Sequence, residues 1–314
     1  MFELGGGVID LYCKVLDKYS FSVTVLLDVV DAMGANTINT TLEGLKPFVM
    51  DKLCYFKQKV HKSEVNNYIK TSPMLMSIVS NLAPERITRV GFKVPVKAFE
   101  YKNGKAISLF PSKDISGLEV CQRICMAGRV AKTDLFRAVT HNKGIMNGID
   151  AVLIAMGQDS RAVEAACHVY SLYRYGRYQA LSEYYLSIDK DNEYYFCGEL
   201  EIPISIGTRG GVLNSNPLYN SFLKMMKIEK AKELAQVIAC VGLANNLAAL
   251  RALVTEGIQK GHMRLHAKNI ALSVGIPLNQ INDAVSYMSK LDKYDYNTAL
   301  KFKEKLMKGL KNKL

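Results

Sequence analysis

THNKGIMNGIDAVLIAMGQDSRAVEA, residues 140–165, sets polar side chains inside an apolar frame. His141, Asn142, Lys143 and Asn147 stand among Gly144, Ile145, Met146 and Gly148, and the apolar run that follows ends on Gly157, Gln158 and Asp159. The pattern predicts a buried helix starting near Asn147. It predicts a second, stronger helix over 160–173, begun by Asp159 or Ser160, whose side-chain oxygen can accept from the free N–H groups of a first turn. Lys143 and Asp159 both enter a half-buried space on this reading. Either charge alone would be costly there, so the two are expected to pair. Such a pair can be purely structural, or it can be an electrophilic ammonium held by its carboxylate and aimed at an oxygen that develops negative charge.

Upstream, the segment 9–16 alternates, with Ile9, Leu11, Cys13 and Val15 on one side and Asp10, Tyr12 and Lys14 on the other. The segment 21–30 is rich in β-branched residues, so two strands joined by a turn at 17–20 are expected. A helix over 35–48 follows, ending near Pro47. The Lys-, Asn- and Tyr-rich stretch 50–75 reads as a surface excursion, partly helical. A strand over 87–99 carries an interior Pro95, which places it at a sheet edge. Downstream, 115–129 reads as a helix, and 184–188 with 194–202 as a hairpin across 189–193. Leu234, Val237, Ile238, Val241, Leu247, Leu250, Leu253 and Val254 keep the spacing of a long packed helix. Gly257 and Gly261 should break it, with shorter helices near 278–290 and 295–310. The fold class is therefore α+β, divided near residue 80 into a small first region and a larger helix-rich one.

The 314 residues are 49% hydrophobic, enough for one large core or two modest ones, with 41 Lys and Arg against 29 Asp and Glu. A net charge of +12 attracts nucleic acid, anionic surfaces or polyanionic small ligands without choosing among them. The lysine run 301–313 reads as a solvated helix face with a basic tail, which leaves nucleic acid disfavoured. Seven cysteines, an odd number in a large chain, argue against a disulfide framework and for a reducing cytoplasm; Cys121 and Cys125 read as core thiols. Neither a signal peptide nor an uninterrupted apolar run of ~18 residues is present. Glycines cluster at 5–7, 207–211 and around 257–261, without the GxGxxG or GxxxxGK[ST] spacing. Each cluster can be a plain turn or a place where the backbone approaches a phosphate or nicotinamide. His262 and His266 are four apart, but the HExxH glutamate and a third ligand are missing, so no metal is expected. A histidine beside a glycine break can instead act as a general acid near neutral pH.

Three strings, DVVDAMGANTINT (28–40), the 140–165 stretch, and GLANNLAALRALVTEGIQKGHMRLHAKNIA (242–271), resemble the signatures of class II 3-hydroxy-3-methylglutaryl-coenzyme A (HMG-CoA) reductases. The resemblance runs over essentially the whole chain. It implies reduction of HMG-CoA to mevalonate and coenzyme A by two hydrides from NADPH or NADH, or the reverse. It also implies a cytoplasmic homodimer with active sites at the subunit interface and no membrane. The small region (1–80) would be an incomplete ferredoxin-like cofactor domain. The large region (81–314) would bind HMG-CoA, with 263–314 a mobile C-terminal flap. Residue by residue, Lys143, Asp159 and His262 match the catalytic lysine, aspartate and histidine. Arg137 and Asn147 match positions that hold the hydroxymethylglutaryl group. Asp31, Met33, Gly34 and Asn36 match the cofactor-contacting turn, and Asn81 with the glycines Gly207 and Gly210 would border the nicotinamide cleft.

The chain departs from the pattern in four ways. The family's catalytic glutamate and substrate-binding serine lie upstream of the triple glycine at which this sequence starts. Val30 stands where Arg is usual, and Arg209 where a small apolar residue is usual. Gln158 and Asn245 replace Asn and Gln. The alternative to a reductase is a homologue that binds CoA or dimerises without catalysis.

Overall fold

The computed structural model describes residues 2–17, 20–59, 74–102, 114–291 and 293–311. In chain order the elements are β1 (Gly7–Val15), β2 (Phe21–Asp28), α1 (Ala35–Lys59), β3 (Ile87–Pro95), β4 (Tyr101–Lys102) and β5 (Asp114–Ile115), followed by α2 (Gly117–Thr133), α3 (Leu135–Ala155), α4 (Ser160–Tyr175), β6 (Ser182–Ile188) and β7 (Tyr194–Pro203). The remainder is helical: α5 (Val212–Ser215), α6 (Pro217–Met226), α7 (Ala231–Val254), α8 (Ile258–Ser273), α9 (Ile281–Leu291) and α10 (Tyr296–Lys311). The fold is α+β. Its sheets are the β1-β2 ribbon, a three-stranded sheet of order β3-β7-β6, and the short β4-β5 pair. By backbone contacts the chain forms two compact units. One comprises Met1–Lys93, Gly128–Tyr184 and Cys197–Asn246; the other comprises Val94–Ala127, Tyr185–Phe196 and Leu247–Leu314.

Most elements lie where local chemistry puts them. Asp159 begins α4, its carboxylate accepting from the Ala162 N–H at 3.0 Å. β3 is an edge strand and ends on Pro95, which has no N–H for a ladder. Three boundaries differ from expectation. Helix α1 runs through Pro47, which forfeits one intrahelical bond without ending the helix. The remainder of the 50–75 excursion, 60–73, lies outside the described residues. Helix α3 begins at Leu135 behind an Asp134 cap, twelve residues before Asn147. Its start is masked in the sequence because His141 and Asn142 occupy the buried face beside Ala138, Ile145 and Ile149. Gly257, at φ +84°, breaks the chain before α8, whereas Gly261 lies within that helix.

Helix α7 is, among the described residues, the one helix long and apolar enough to cross a membrane. Its Leu234, Ile238, Ala239 and Leu250 are fully buried within the protein. In the second unit, α8, α9 and α10 enclose a core of small and medium side chains, Ala267, Ala271, Ile276, Ala284, Met288 and Ala299. Two lysines of the basic run are used internally. Lys303 donates to the Val274 carbonyl at 2.7 Å, at the C-terminal end of α8, where a cation also complements the helix dipole. Lys305 lies 4.7 Å over the Tyr287 ring.

The ribbon is the exception to good burial. β1 and β2 pair antiparallel from Gly7↔Asp28 to Val15↔Phe21, with an irregularity between Val8 and Asp10. Ile9, Leu11 and Val15 are all exposed, Val15 to 78%, and so are Val8 and Tyr12 on the other side. An apolar ribbon whose side chains stand exposed is a template for association. The 314-residue chain is therefore expected to bind a hydrophobic dye and to self-associate in sedimentation velocity. The double substitution Leu11→Lys, Val15→Lys should reduce both; association that is unchanged would place its cause elsewhere.

Candidate active site

The first half of the site is a knot of backbone around the turn from β2 to α1. Val30 donates its N–H to the Asp28 carboxylate at 2.8 Å, and Ala32 forms a parallel bridge with Arg209. Arg86 holds the assembly: its guanidinium donates to the carbonyls of Ala32 (3.3 Å), Met33 (2.9 Å) and Ile206 (2.9 Å). Burial pushes its pKa down, and the carboxylates of Asp28 and Asp31 oppose that shift, so it stays a cation. Asp31 ties in two further segments. Its carbonyl accepts from Thr208 N–H at 2.9 Å, and its carboxylate accepts from Ala231 N–H at 2.9 Å, at the positive end of α7. Gln158 adds a two-way bond to Gly207, donating from Nε2 to the carbonyl at 2.9 Å and accepting from the N–H at 3.1 Å. Only glycine fits at 207, because a Cβ there would stand 2.5 Å from Met33 N. Asp31, Met33, Gly34 and Gly207 thus meet. Asn36 and Asn81 are exposed, and Gly210 follows at φ +88°.

The second half is helix α3. Lys143 and Asn147, one turn apart, share an exposed face with Phe136, Val139 and Ile154, of which Phe136 is 86% exposed. Arg137 is half-buried on the first turns; burial lowers its pKa and Asp134 opposes. Beneath Lys143 the opposite face is a closed polar network. His141 is 1% exposed, and its Nε2 lies 2.6 Å from Ser182 Oγ. Ser182 donates to Asn246 Oδ1 at 3.1 Å, and Tyr184 donates to the same oxygen at 2.7 Å. Asn246 Nδ2 returns to the His141 carbonyl at 3.2 Å, and Asn245 Nδ2 donates to the Gly144 carbonyl at 2.6 Å. Asn142 donates to the Gln179 carbonyl and accepts from Leu181 N–H. Glycines admit this closeness: a Cβ at Gly148 would come 2.8 Å from the Val241 carbonyl, and one at Gly242 2.7 Å from Ile149 Cγ1.

The remaining expected residues are placed separately. Asp159 is exposed at its cap position, and among the described residues no ion pair joins it to Lys143. The expected pairing rested on half-burial, and an exposed ammonium has no such need. His262 lies in α8, in the second unit, with its side chain outside the described residues; His266 is exposed. Arg86, Ser182, Tyr184 and Asn246 were not singled out by sequence. Arg86 carries no local signal, since its partners lie 53, 54 and 120 residues away.

Residues 2–267 match the family model described as hydroxymethylglutaryl-coenzyme A reductase. The chain belongs to the HMG-CoA reductase family. It is 37% identical over 309 residues to the 3-hydroxy-3-methylglutaryl-coenzyme A reductase of Archaeoglobus fulgidus, covering 98% of this chain and 62% of that one. It is 31% identical over 319 residues to the probable HMG-CoA reductase of Borreliella burgdorferi, covering 100% and 66%. Among solved structures, the HMG-CoA reductase of Streptococcus pneumoniae superposes with a TM-score of 0.64 at 35% identity, over 97% of this chain and 65% of that one. A class II structure from the same organism, bound to NADPH in open conformations, gives 0.64 at 35% identity, over 98% and 67%. The chain therefore spans about two thirds or less of the curated HMG-CoA reductases it matches.

Two stability tests follow from the site. Val30, a β-branched residue, is held at φ +53°, a conformation that costs roughly 1–3 kcal/mol. Val30→Gly should raise the urea midpoint by an amount equivalent to about 1 kcal/mol; an unchanged or lower midpoint would show no strain there. Asp150, on α3, has a buried Oδ1 without a hydrogen-bond partner among the described residues, and its pKa is pushed up to about 6 by burial and then by Glu164. A raised carboxyl favours the fold below its unfolded pKa and loses that contribution as pH rises through about 6. Asp150→Asn should therefore stabilise by about 1 kcal/mol near pH 8, discounted for solvent, and by little near pH 4. Equal effects at both pH values would contradict this.

Proposed function

We propose that this chain contributes the greater part of an HMG-CoA reductase, interconverting HMG-CoA with mevalonate and coenzyme A. The observation that carries the reading is the presentation of Lys143 and Asn147 together on the open face of α3, within the family-matching residues 2–267. Residues 1–80 serve as the cofactor region and 81–314 as the substrate region, with 263–314 a flap. The +12 charge suits ligands that are themselves polyanions.

Lys143 directs a cation at the thioester carbonyl and then at the aldehyde oxygen as each gains negative charge. Asp159, which caps α4 and joins no ion pair among the described residues, orients that ammonium once substrate is bound. Arg137 receives the substrate carboxylate, and Asn147 the hydroxyl region. His262 protonates the departing thiolate, a modest task because a thiol's pKa is about 8.5. NADPH or NADH supplies hydride when bound. The residues present suit a flat ring: a Cβ at Gly210 or Gly211 would meet open space, beside the Asp31–Gly34 turn that Arg86 fixes. A homodimer is supported by the apolar stripe of Phe136, Val139 and Ile154 that flanks Lys143, which a second copy would cover. Cys121 and Cys167 are buried thiols, whose pKa burial pushes up; the odd cysteine count suits a reducing cytoplasm. The alternative reading is CoA binding or dimerisation without turnover.

NAD(P)H oxidation with HMG-CoA and with mevaldehyde separates these readings. The 314-residue chain should turn over at least ~10²–10³ more slowly than a version extended upstream with the family's glutamate segment, since one oxyanion donor is worth that much. In the extended version Lys143→Ala should abolish reduction of both substrates. His262→Gln should spare mevaldehyde, which has no thiolate to expel. Equal turnover by the two chains, or equal losses for His262→Gln on both substrates, would overturn the assignment.

A further inference from the structure

No step above uses the buried polar network under Lys143, yet that network is specific in its protonation. Asn246 Nδ2 donates to the His141 carbonyl, which fixes Asn246 Oδ1 as the atom facing Ser182 and Tyr184. An amide oxygen only accepts, so the Ser182 proton is committed to it. Ser182 Oγ therefore accepts from His141, and the imidazole carries its proton on Nε2. Nδ1 is left as a bare acceptor, fully buried and without a partner among the described residues. A buried acceptor is tolerated more readily than a buried N–H, which favours the same tautomer. Burial, and then the Arg137 guanidinium one turn away, push the His141 pKa down to about 3. The ring is neutral at every pH at which a carboxylate-binding cation would work.

The network also acts at defined points. The carbonyls that receive Asn246 and Asn245 belong to His141 and Gly144, two residues before Lys143 and one after it. Both amides thus seize the single turn of α3 from which Lys143 projects. An apolar side chain at 141 would fill the same volume with no unpaired nitrogen, so packing alone does not account for a histidine there.

We propose that His141 is a positioning residue for Lys143: its Nε2–H holds Ser182 and Asn246 in the orientation that clamps this turn, and so fixes where the ammonium is presented. The role in catalysis rests on the reductase reading; the placement of Lys143 does not.

The test uses the full chain and three variants. Gln can place an amide N–H where His141 Nε2 stands, Leu fills the space without a donor, and Ser182→Ala removes the bridge with little loss of volume. Nitrogen-15 correlation spectra should show His141 as an Nε2–H tautomer that does not titrate between about pH 5 and pH 9. Acetic anhydride labelling read by mass spectrometry should give Lys143 a pH profile that changes, relative to Lys290, by severalfold in His141→Leu and Ser182→Ala. His141→Gln should restore it. Where HMG-CoA turnover is measured, the Leu variant should lose about 10–100-fold in kcat with KM within about twofold, as small misplacements do. An Nδ1–H tautomer, or a folded His141→Leu protein whose Lys143 labels as in the parent, overturns the proposal. The expected spectra and labelling shifts in an upstream-extended version that shows no turnover would count against the reductase reading alone.

Discussion

The contact between α3 and α7 is the constraint on which the site depends. Two helices normally keep their backbones 8–10 Å apart, with side chains between them. Here Gly148 and Gly242 remove that layer, and a Cβ at either would fall within 3 Å of the opposite helix. Close approach lets Asn245 and Asn246 reach main-chain carbonyls of α3 directly. Carbonyls in a helix interior already accept from the N–H four residues on, so these amides use the second lone pair. One face of α3 is thereby immobilised by polar bonds, and the opposite face is left to present Lys143 and Asn147.

The turn after β2 is organised by a different means to the same end. Where α3 is fixed by amides, the Asp28–Gly34 region is fixed by a guanidinium. Arg86 satisfies carbonyls from two segments, Ala32 and Met33 on one and Ile206 on the other, and so ties them together. A lysine could not match this, having a point charge in place of a planar fork. Gln158 then acts as a strand of one residue, giving Gly207 the donor and acceptor that a neighbouring backbone would offer. Asp159, the next residue, is used by α4 as its cap.

What the sequence made legible was local. The β1-β2 hairpin, the Asp159 cap and the long α7 each follow from patterns within about twenty residues. The start of α3 was hidden for the same reason that its function is interesting: polar His141 and Asn142 occupy core positions, so the apolar period lapses where the helix is most tightly held. The pairing of Lys143 with Asp159 assumed that both were enclosed, and burial is a tertiary property that the string of residues does not contain. The roles of Arg86, Ser182 and Asn246 depend on partners drawn together by the fold, and no spacing rule finds them. Family resemblance assigned residues to chemistry, but it gave no account of what holds them in place.

The chain order of the first unit sets a schedule. It is assembled from three separate stretches, and one tie, from Ala231 N–H to Asp31, spans 200 residues. Ribosomes add about 5–20 residues per second, so roughly 10–40 s separate the synthesis of the two partners. For much of that interval the Asp28–Gly34 turn exists without Gln158, for most of it without Arg209, and until its end without the start of α7, while the apolar ribbon before it is already exposed. In a growing polypeptide the first piece of the site to be made stays open the longest.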